Sequence, residues 1–228
     1  MFFKKINSLL VAALVALTFL SCYHSADREN SDIAGIVPQV DDGAPYSAME
    51  ARYTSWPAPD TMLIYIDGSQ YKVSSKGDVF GPNGDKCFSI GNEGVIETLY
   101  FTQKGSSLFL FYTDTTDEGS ASFAKRIDIS SGKTLWASDV TGIAVGKPVI
   151  RGQFAYIGSF GFVGKLKLKN GEYDWKYSNL NNSGRFEKFQ EIVFISGREV
   201  SFLAPHPFSI DCDTVVINDL TGEIIRMN

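Results

Sequence analysis

A single phrase recurs in this chain and narrows what it can fold into. Arg126 to Trp136 (Arg-Ile-Asp-Ile-Ser-Ser-Gly-Lys-Thr-Leu-Trp) aligns with Lys165 to Trp175 (Lys-Leu-Lys-Leu-Lys-Asn-Gly-Glu-Tyr-Asp-Trp) and with Val216 to Arg226 (Val-Ile-Asn-Asp-Leu-Thr-Gly-Glu-Ile-Ile-Arg). Each phrase is an extended run, a polar turn closed by glycine, and a return run. Glycine suits the left-handed end of such a turn, and Ser, Asn or Thr before it accepts local hydrogen bonds. A weaker copy, Tyr71 to Phe80, has its glycine at 77.

Glycines 77, 132, 171 and 222 are spaced by 55, 39 and 51 residues. About 40 residues is the span of a four-stranded propeller blade, and the longer gaps leave room for insertions at Asp114 to Ser122 and Ala204 to Asp213. Short runs ended by glycine dominate beyond residue 60, with almost no ten-residue helical period. Strands are expected at Met62 to Ile66, Gln70 to Val73, Glu97 to Thr102, Ser107 to Thr113, Phe123 to Ile129, Phe154 to Ser159, Lys165 to Leu168, Glu191 to Ile195, Glu199 to Leu203 and Thr214 to Asn218. The expected fold class is all-β, a β-propeller-like array of about four antiparallel blades.

The best-formed repeat runs Gly146-Lys-Pro-Val-Ile-Arg-Gly152, then Ala155-Tyr-Ile-Gly-Ser159, then Gly164 to Gly171, then Trp175. It resembles the pyrroloquinoline-quinone-like propeller repeats, and the resemblance spans Met62 to Asn228. Family propellers commonly carry seven or eight blades, so a chain with room for four either closes a small ring or stays a partial array. The quinone of the related dehydrogenases lies between a tryptophan and adjacent cysteines. This chain has no adjacent cysteines, so no cofactor is expected.

The N-terminus carries an address. Lys4 and Lys5 precede an apolar run from Ile6 to Leu20, followed by Ser21 and Cys22. That order reads as a signal peptide, residues 1–21, since the run is short for a span of roughly 30 Å and no positive stop-transfer flank follows. Leu20-Ser21-Cys22 resembles a bacterial lipoprotein box, in which Cys22 would receive a diacylglycerol. Phe19 departs from its pattern. Tyr23, where an aspartate would mark retention at the inner membrane, points to the outer membrane, facing the periplasm. Residues 22–51 are polar and read as the lipidated cysteine and a flexible tether, with Ile33 to Val40 as an alternative edge strand. Residues 52–228 form the propeller-like domain.

Charge excludes some partners. The chain has 21 basic and 26 acidic residues, and loss of residues 1–21 leaves 19 and 26, a charge of −7. A net-acidic chain without a basic block argues against nucleic acid and against electrostatic adhesion to anionic lipid. Membrane contact is expected through the anchor alone.

Chemistry-bearing motifs are sparse. His24 and His206 are the two histidines, and no Cys-x-x-Cys is present, so no metal site is expected. His206 with Asp211 and a serine could be imagined as a triad, but an exposed loop histidine is the simpler reading. Asp211 with Asp213, and Asp114 with Asp117 and Glu118, lack the ligand count of a calcium loop. Gly91 to Gly94 reads as a turn. Cys87 and Cys212, in the first and last repeats, would be neighbours in a closed ring, where a disulfide could staple it. Lys165, Lys167 and Lys169 alternate, which places three charges on one strand face and Leu166 and Leu168 in the core. Phe154, Tyr156, Phe160 and Phe162 surround glycines near a strand end, as interface aromatics do. Lys165, Lys167, Lys169, Phe160 and Phe162 are therefore the candidate partner-binding residues. The expected function is a non-catalytic, lipid-anchored scaffold for an unknown protein of the cell envelope. The alternatives are a periplasmic immunity lipoprotein that neutralises a delivered toxin, and an envelope hydrolase with widely separated acids.

Overall fold

Hairpins follow one another along the whole domain, because each apolar run is closed by a turn too short to do anything but reverse the chain. The computed structural model describes residues 44–53, 61–183, 185–206 and 211–228. The residues read as signal peptide, Cys22 and the stretch read as tether up to residue 43, including Ile33 to Val40, lie outside the described residues.

Among the described residues, nineteen strands build four antiparallel sheets. Three two-residue strands come first: β1 (Tyr46–Ser47), β2 (Met49–Glu50) and β3 (Arg52–Tyr53). The first sheet continues with β4 (Thr61–Ile66), β5 (Ser69–Ser74), β6 (Asp78–Phe80) and β7 (Lys86–Ser89). The second has β8 (Val95–Lys104), β9 (Ser107–Thr116), β10 (Gly119–Asp128) and β11 (Thr134–Val140). β12 (Val149–Arg151), β13 (Phe154–Ser159), β14 (Phe162–Lys167) and β15 (Tyr173–Tyr177) make the third. β16 (Glu191–Ser196), β17 (Glu199–Pro205), β18 (Cys212–Asn218) and β19 (Ile224–Met227) make the fourth. A 3-10 turn at Leu180–Ser183 interrupts the pattern. Within each sheet the four main strands pair in chain order, which is the blade topology of a β-propeller. All ten expected strands are present. Among the described residues no helix is long and apolar enough to cross a membrane.

The long gaps between repeats hold hairpin extensions. β9 and β10 continue in register to Thr116 and Gly119, with Thr113 and Ser122, and Thr115 and Ser120, joined through their hydroxyls. β17 likewise runs on to Pro205 and pairs with Cys212.

Three apolar cores hold the sheets face to face. Met62, Ile64, Ile66, Val73 and Val79 pack against Leu99, Leu108, Leu110 and Tyr112 between the first and second sheets. Phe109, Phe111 and Ala124 meet Ile150, Ile157, Leu166 and Leu168 between the second and third. Tyr156 and Val163 meet Val200, Phe202, Val215 and Ile217 between the third and fourth. The middle sheets are thus covered on both faces, which is why Leu108 to Tyr112 is an unbroken apolar run rather than an alternating one. Among the described residues no such core joins the fourth sheet to the first.

The recurring phrase explains how neighbours lock. In its three strong copies the glycine N–H bonds back to the carbonyl four residues earlier: Gly132 to Asp128, Gly171 to Lys167 and Gly222 to Asn218. The turn then presents glycine to the preceding sheet. A Cβ on Gly171 would lie 2.7 Å from the Trp136 ring, one on Gly222 would lie 2.8 Å from Trp175, and one on Gly132 would lie 2.6 Å from Phe88. Both indoles also donate across the seam, Trp136 to the Leu168 carbonyl at 3.1 Å and Trp175 to the Asp219 carbonyl at 3.4 Å. Each sheet therefore slides an aromatic beneath the next sheet's turn, where only glycine leaves room.

This arrangement corrects the fourth copy. Gly77 lies in the turn between β5 and β6, not in the turn before the last strand that the other three occupy. The true counterpart is Gly84, four residues before Phe88, just as 132, 171 and 222 precede Trp136, Trp175 and Arg226. Nothing lies within 4 Å of a Cβ built on Gly84, and Arg226, exposed, stands where the fourth aromatic would be. Among the described residues, the interlock operates three times and does not link the last sheet to the first.

Residues 46–51, which fall within the stretch read as tether, join the sheets together with Arg52 and Tyr53. β1 pairs with β12, β2 with β8 and β3 with β4, so one extended segment crosses the first-strand edges of three successive sheets. Ala48 and Ala51 are the buried step residues between rungs, and their N–H groups bond to Pro148 and Leu99 at 2.9 and 2.8 Å.

Candidate functional site

Alternation along β14 puts Lys165 and Leu166 on opposite faces, but in a sheet covered on both sides each face is an interior. Leu166 and Leu168 enter the core against the second sheet, as expected. Lys165, at 4% exposure, points into the seam with the fourth sheet and is not on a docking surface. Its ammonium lies 2.9 Å from Asp219 Oδ1, donates to the Asp219 carbonyl at 2.8 Å, and stands 3.5 Å from Asp174. The Phe154 ring is 4.3 Å away, and Tyr156 flanks it.

Asp219 is the hub of this seam. It accepts from the Tyr156 hydroxyl at 2.7 Å, and Arg151 approaches its other oxygen at 3.8 Å while lying 4.8 Å over the Phe194 ring. Burial, and then the Asp219 carboxylate, push the Tyr156 hydroxyl far above the ordinary phenol range, so it remains a donor. Two cations, Lys165 and Arg151, face two carboxylates, Asp219 and Asp174. The network spends its charge across the seam and joins two sheets.

Little remains of the proposed lysine face. Lys167 is half exposed and lies 3.4 Å from Asp174, which neutralises it, and Lys169 is exposed. Phe162 is fully buried against the second sheet, facing Tyr173 edge-on, and so is unavailable to a partner. Phe160 differs. At the β13–β14 turn it is 36% exposed, and its N–H donates to the carbonyl of Ile143, itself 45% exposed, at 3.1 Å. Phe160 also bridges to Lys188 ahead of the fourth sheet. Sequence reasoning missed Ile143, which sits in a glycine-containing connection with no periodic signal.

The cysteines are not joined. Cys87 on β7 and Cys212 at the start of β18 are both exposed and form no disulfide with each other, because their sheets are not packed together in a shared core. The acidic motifs are occupied by the protein itself. Asp114 is buried and accepts from the N–H groups of Glu93 and Gly94 at 2.8 and 2.9 Å. His206 meets Asp213 at 3.2 Å through Nε2, while Asp211 supplies a carbonyl to its N–H. Arg185 holds Asp213 through two nitrogens at 2.9 and 2.6 Å, and the Phe186 N–H adds a third contact at 3.0 Å. Burial opposes the charge on Asp213, yet Arg185, Phe186 and His206 together hold its pKa below the usual carboxylate value. Among the described residues, no group of three or more His, Cys, Asp or Glu is placed to hold a metal ion.

No protein-family model matches this sequence, and no curated protein matches it. Solved structures do match in shape. A chain of the mitotic checkpoint complex is 9% identical with a TM-score of 0.51, over 89% of this chain and 73% of that one. The computationally designed Ika8 protein is 17% identical with a TM-score of 0.49, over 73% of this chain and 48% of that one. BamB from Moraxella catarrhalis is 15% identical with a TM-score of 0.30, over 85% and 79%. This chain spans about half the length of the designed protein. None of these likenesses reaches beyond the fold.

Proposed function

We propose that this chain is a non-catalytic scaffold that binds another protein of the bacterial cell envelope, held at the membrane by lipid on Cys22, and that its sheets are pyrroloquinoline-quinone-like repeats without the quinone. The observation that carries the reading is the Ile143–Phe160 pair: two exposed apolar side chains, tied by a backbone hydrogen bond, on a platform whose sheets are interlocked beneath them. Rigid presentation of an apolar anchor lowers the ordering cost of binding, and confinement by a tether raises the effective concentration near membrane partners. The charged groups between the third and fourth sheets support the same view, since they are committed to holding the platform together.

The test is capture from detergent-solubilised envelope with the full-length protein and with its Phe160→Glu and Ile143→Glu variants. The expected result is one stoichiometric protein partner, lost in both variants while the fold is retained. A turnover that disappears on substituting His206 and Asp213 would replace the scaffold with an enzyme. A toxin as the captured partner would make the protein an immunity factor.

A further inference from the structure

β4, β8 and β12 are the first strands of three sheets, and each has its long edge covered by two residues of the segment 46–53, always antiparallel. The covering repeats every three residues: a large side chain that opens each of the first two rungs, half-buried (Tyr46, Met49), then an exposed polar one (Ser47, Glu50), then a buried alanine that steps to the next sheet. The step depends on the alanine N–H, which bonds the neighbouring sheet at Ala48 and Ala51. Continuing the walk toward the fourth sheet, the next step residue is Pro45. Proline has no N–H, so the ladder loses its step bond there. Pro45 and Ala44 are both exposed, and neither pairs with a strand.

Among the described residues, the equivalent edge of the fourth sheet is not covered. β16 ends its sheet, and among the described residues no strand pairs with its far side. Between Glu191 and Ser196 it reads Ile-Val-Phe-Ile, with Val193 40% and Ile195 49% exposed. Each terminal strand carries charge: β7 has Lys86, β11 Asp139, β15 Lys176 and β19 Arg226, and β16 has Glu191 at its first position. The centre of β16, Ile192 to Ile195, is uncharged and mostly β-branched, and an edge of that composition with no pairing strand among the described residues is a template for another strand.

We propose that the open edge of β16 receives an extended segment of a partner protein, adding a fifth strand as residues 46–53 do elsewhere in the molecule; this rests on the reading of the chain as a protein-binding scaffold. The segment runs antiparallel to β16 and carries the triplet of the internal ladder, a large apolar residue, a polar one and a small one. A single extended chain is the fitting occupant, because the three equivalent edges are each covered by two residues of one and not by another sheet. Main-chain hydrogen bonds supply the affinity, and contact with Val193 and Ile195 adds selectivity.

The experiment is amide hydrogen exchange on the full-length protein, with a peptide of sequence Pro45–Tyr53 added in trans as the probe and its scrambled form as control. Exchange at residues 192–196 is expected to be fast without peptide and to slow at least about tenfold with it. The scrambled peptide, and a Val193→Lys/Ile195→Lys variant that charges the edge, should show no such slowing. Slow exchange before any peptide is added overturns the proposal, as does equal slowing in the charged variant. So does protection that grows with the protein's own concentration, which would make the occupant a second copy. If the charged variant still captures the envelope partner that Phe160→Glu loses, the scaffold stands and this edge is not its docking site.

Discussion

Replacing Lys165 by Met discriminates most sharply between a surface lysine and a structural one. The substitution keeps most of the apolar stem against Phe154 and Tyr156 and removes the charge that lies 2.9 Å from Asp219 and 3.5 Å from Asp174. Removing one partner of a buried pair costs about 3–5 kcal/mol, because the other charge stays desolvated. Two contacts moderate this: Arg151 remains 3.8 Å from Asp219, and Lys167 remains 3.4 Å from Asp174. A loss of about 3 kcal/mol is expected, which for a domain of this size lowers Tm on the order of 10 °C. Thermal and urea unfolding of Lys165→Met, Asp219→Asn and the double variant measure it, with Lys169→Met, fully on the surface, as control. The double variant should cost less than the sum of the singles by about 1–3 kcal/mol, the coupling expected of contacting groups. If Lys165→Met behaves like Lys169→Met, within about 0.5 kcal/mol of the parent, the seam network is not what holds the last two sheets and the lysine row returns as a binding surface.

Three further outcomes follow from the same geometry. Trp175→Ala, which empties the space beneath Gly222, should destabilise by about 3–5 kcal/mol in chemical unfolding, and Gly222→Ala should destabilise through both its φ of +75° and contact with the Trp175 side chain. Asp213 has a folded-state pKa below its unfolded value of 3.8, so its contribution is present above about pH 4 and lost as pH falls through the depressed value; Asp213→Asn should flatten the acid limb of Tm against pH in that window. Cys22→Ser should leave the chain unlabelled by palmitate and absent from the lipid-anchored fraction, since the expected product is held by more than one acyl chain at about 0.8 kcal/mol per buried methylene.

Much of the architecture was legible because hairpins are local objects. Strand limits such as Phe154–Ser159 follow from alternation between glycines, and the turn before Trp175 follows from the polar residues ahead of Gly171. Of the candidate residues, Phe160 is exposed, whereas Lys165 and Phe162, read as surface residues, are buried. Two-fold alternation tells which side chains share a face, but not whether that face meets water or another sheet. The weak copy around Gly77 was assigned to the wrong hairpin, since Tyr71 to Phe80 matches the phrase in composition while Gly84 to Phe88 matches it in spacing.

Residues near one another in the chain determined the all-β class, the four-fold repetition and the glycine at each closing turn, because turn sterics and side-chain alternation act over a few residues. The stacking decided the rest. Which lysine is buried, which phenylalanine is exposed, and how Trp136 and Trp175 slip beneath the next sheet all depend on contacts between segments 32 to 104 residues apart in sequence. Such contacts exist only after the sheets have met face to face, and no local pattern records which faces will meet.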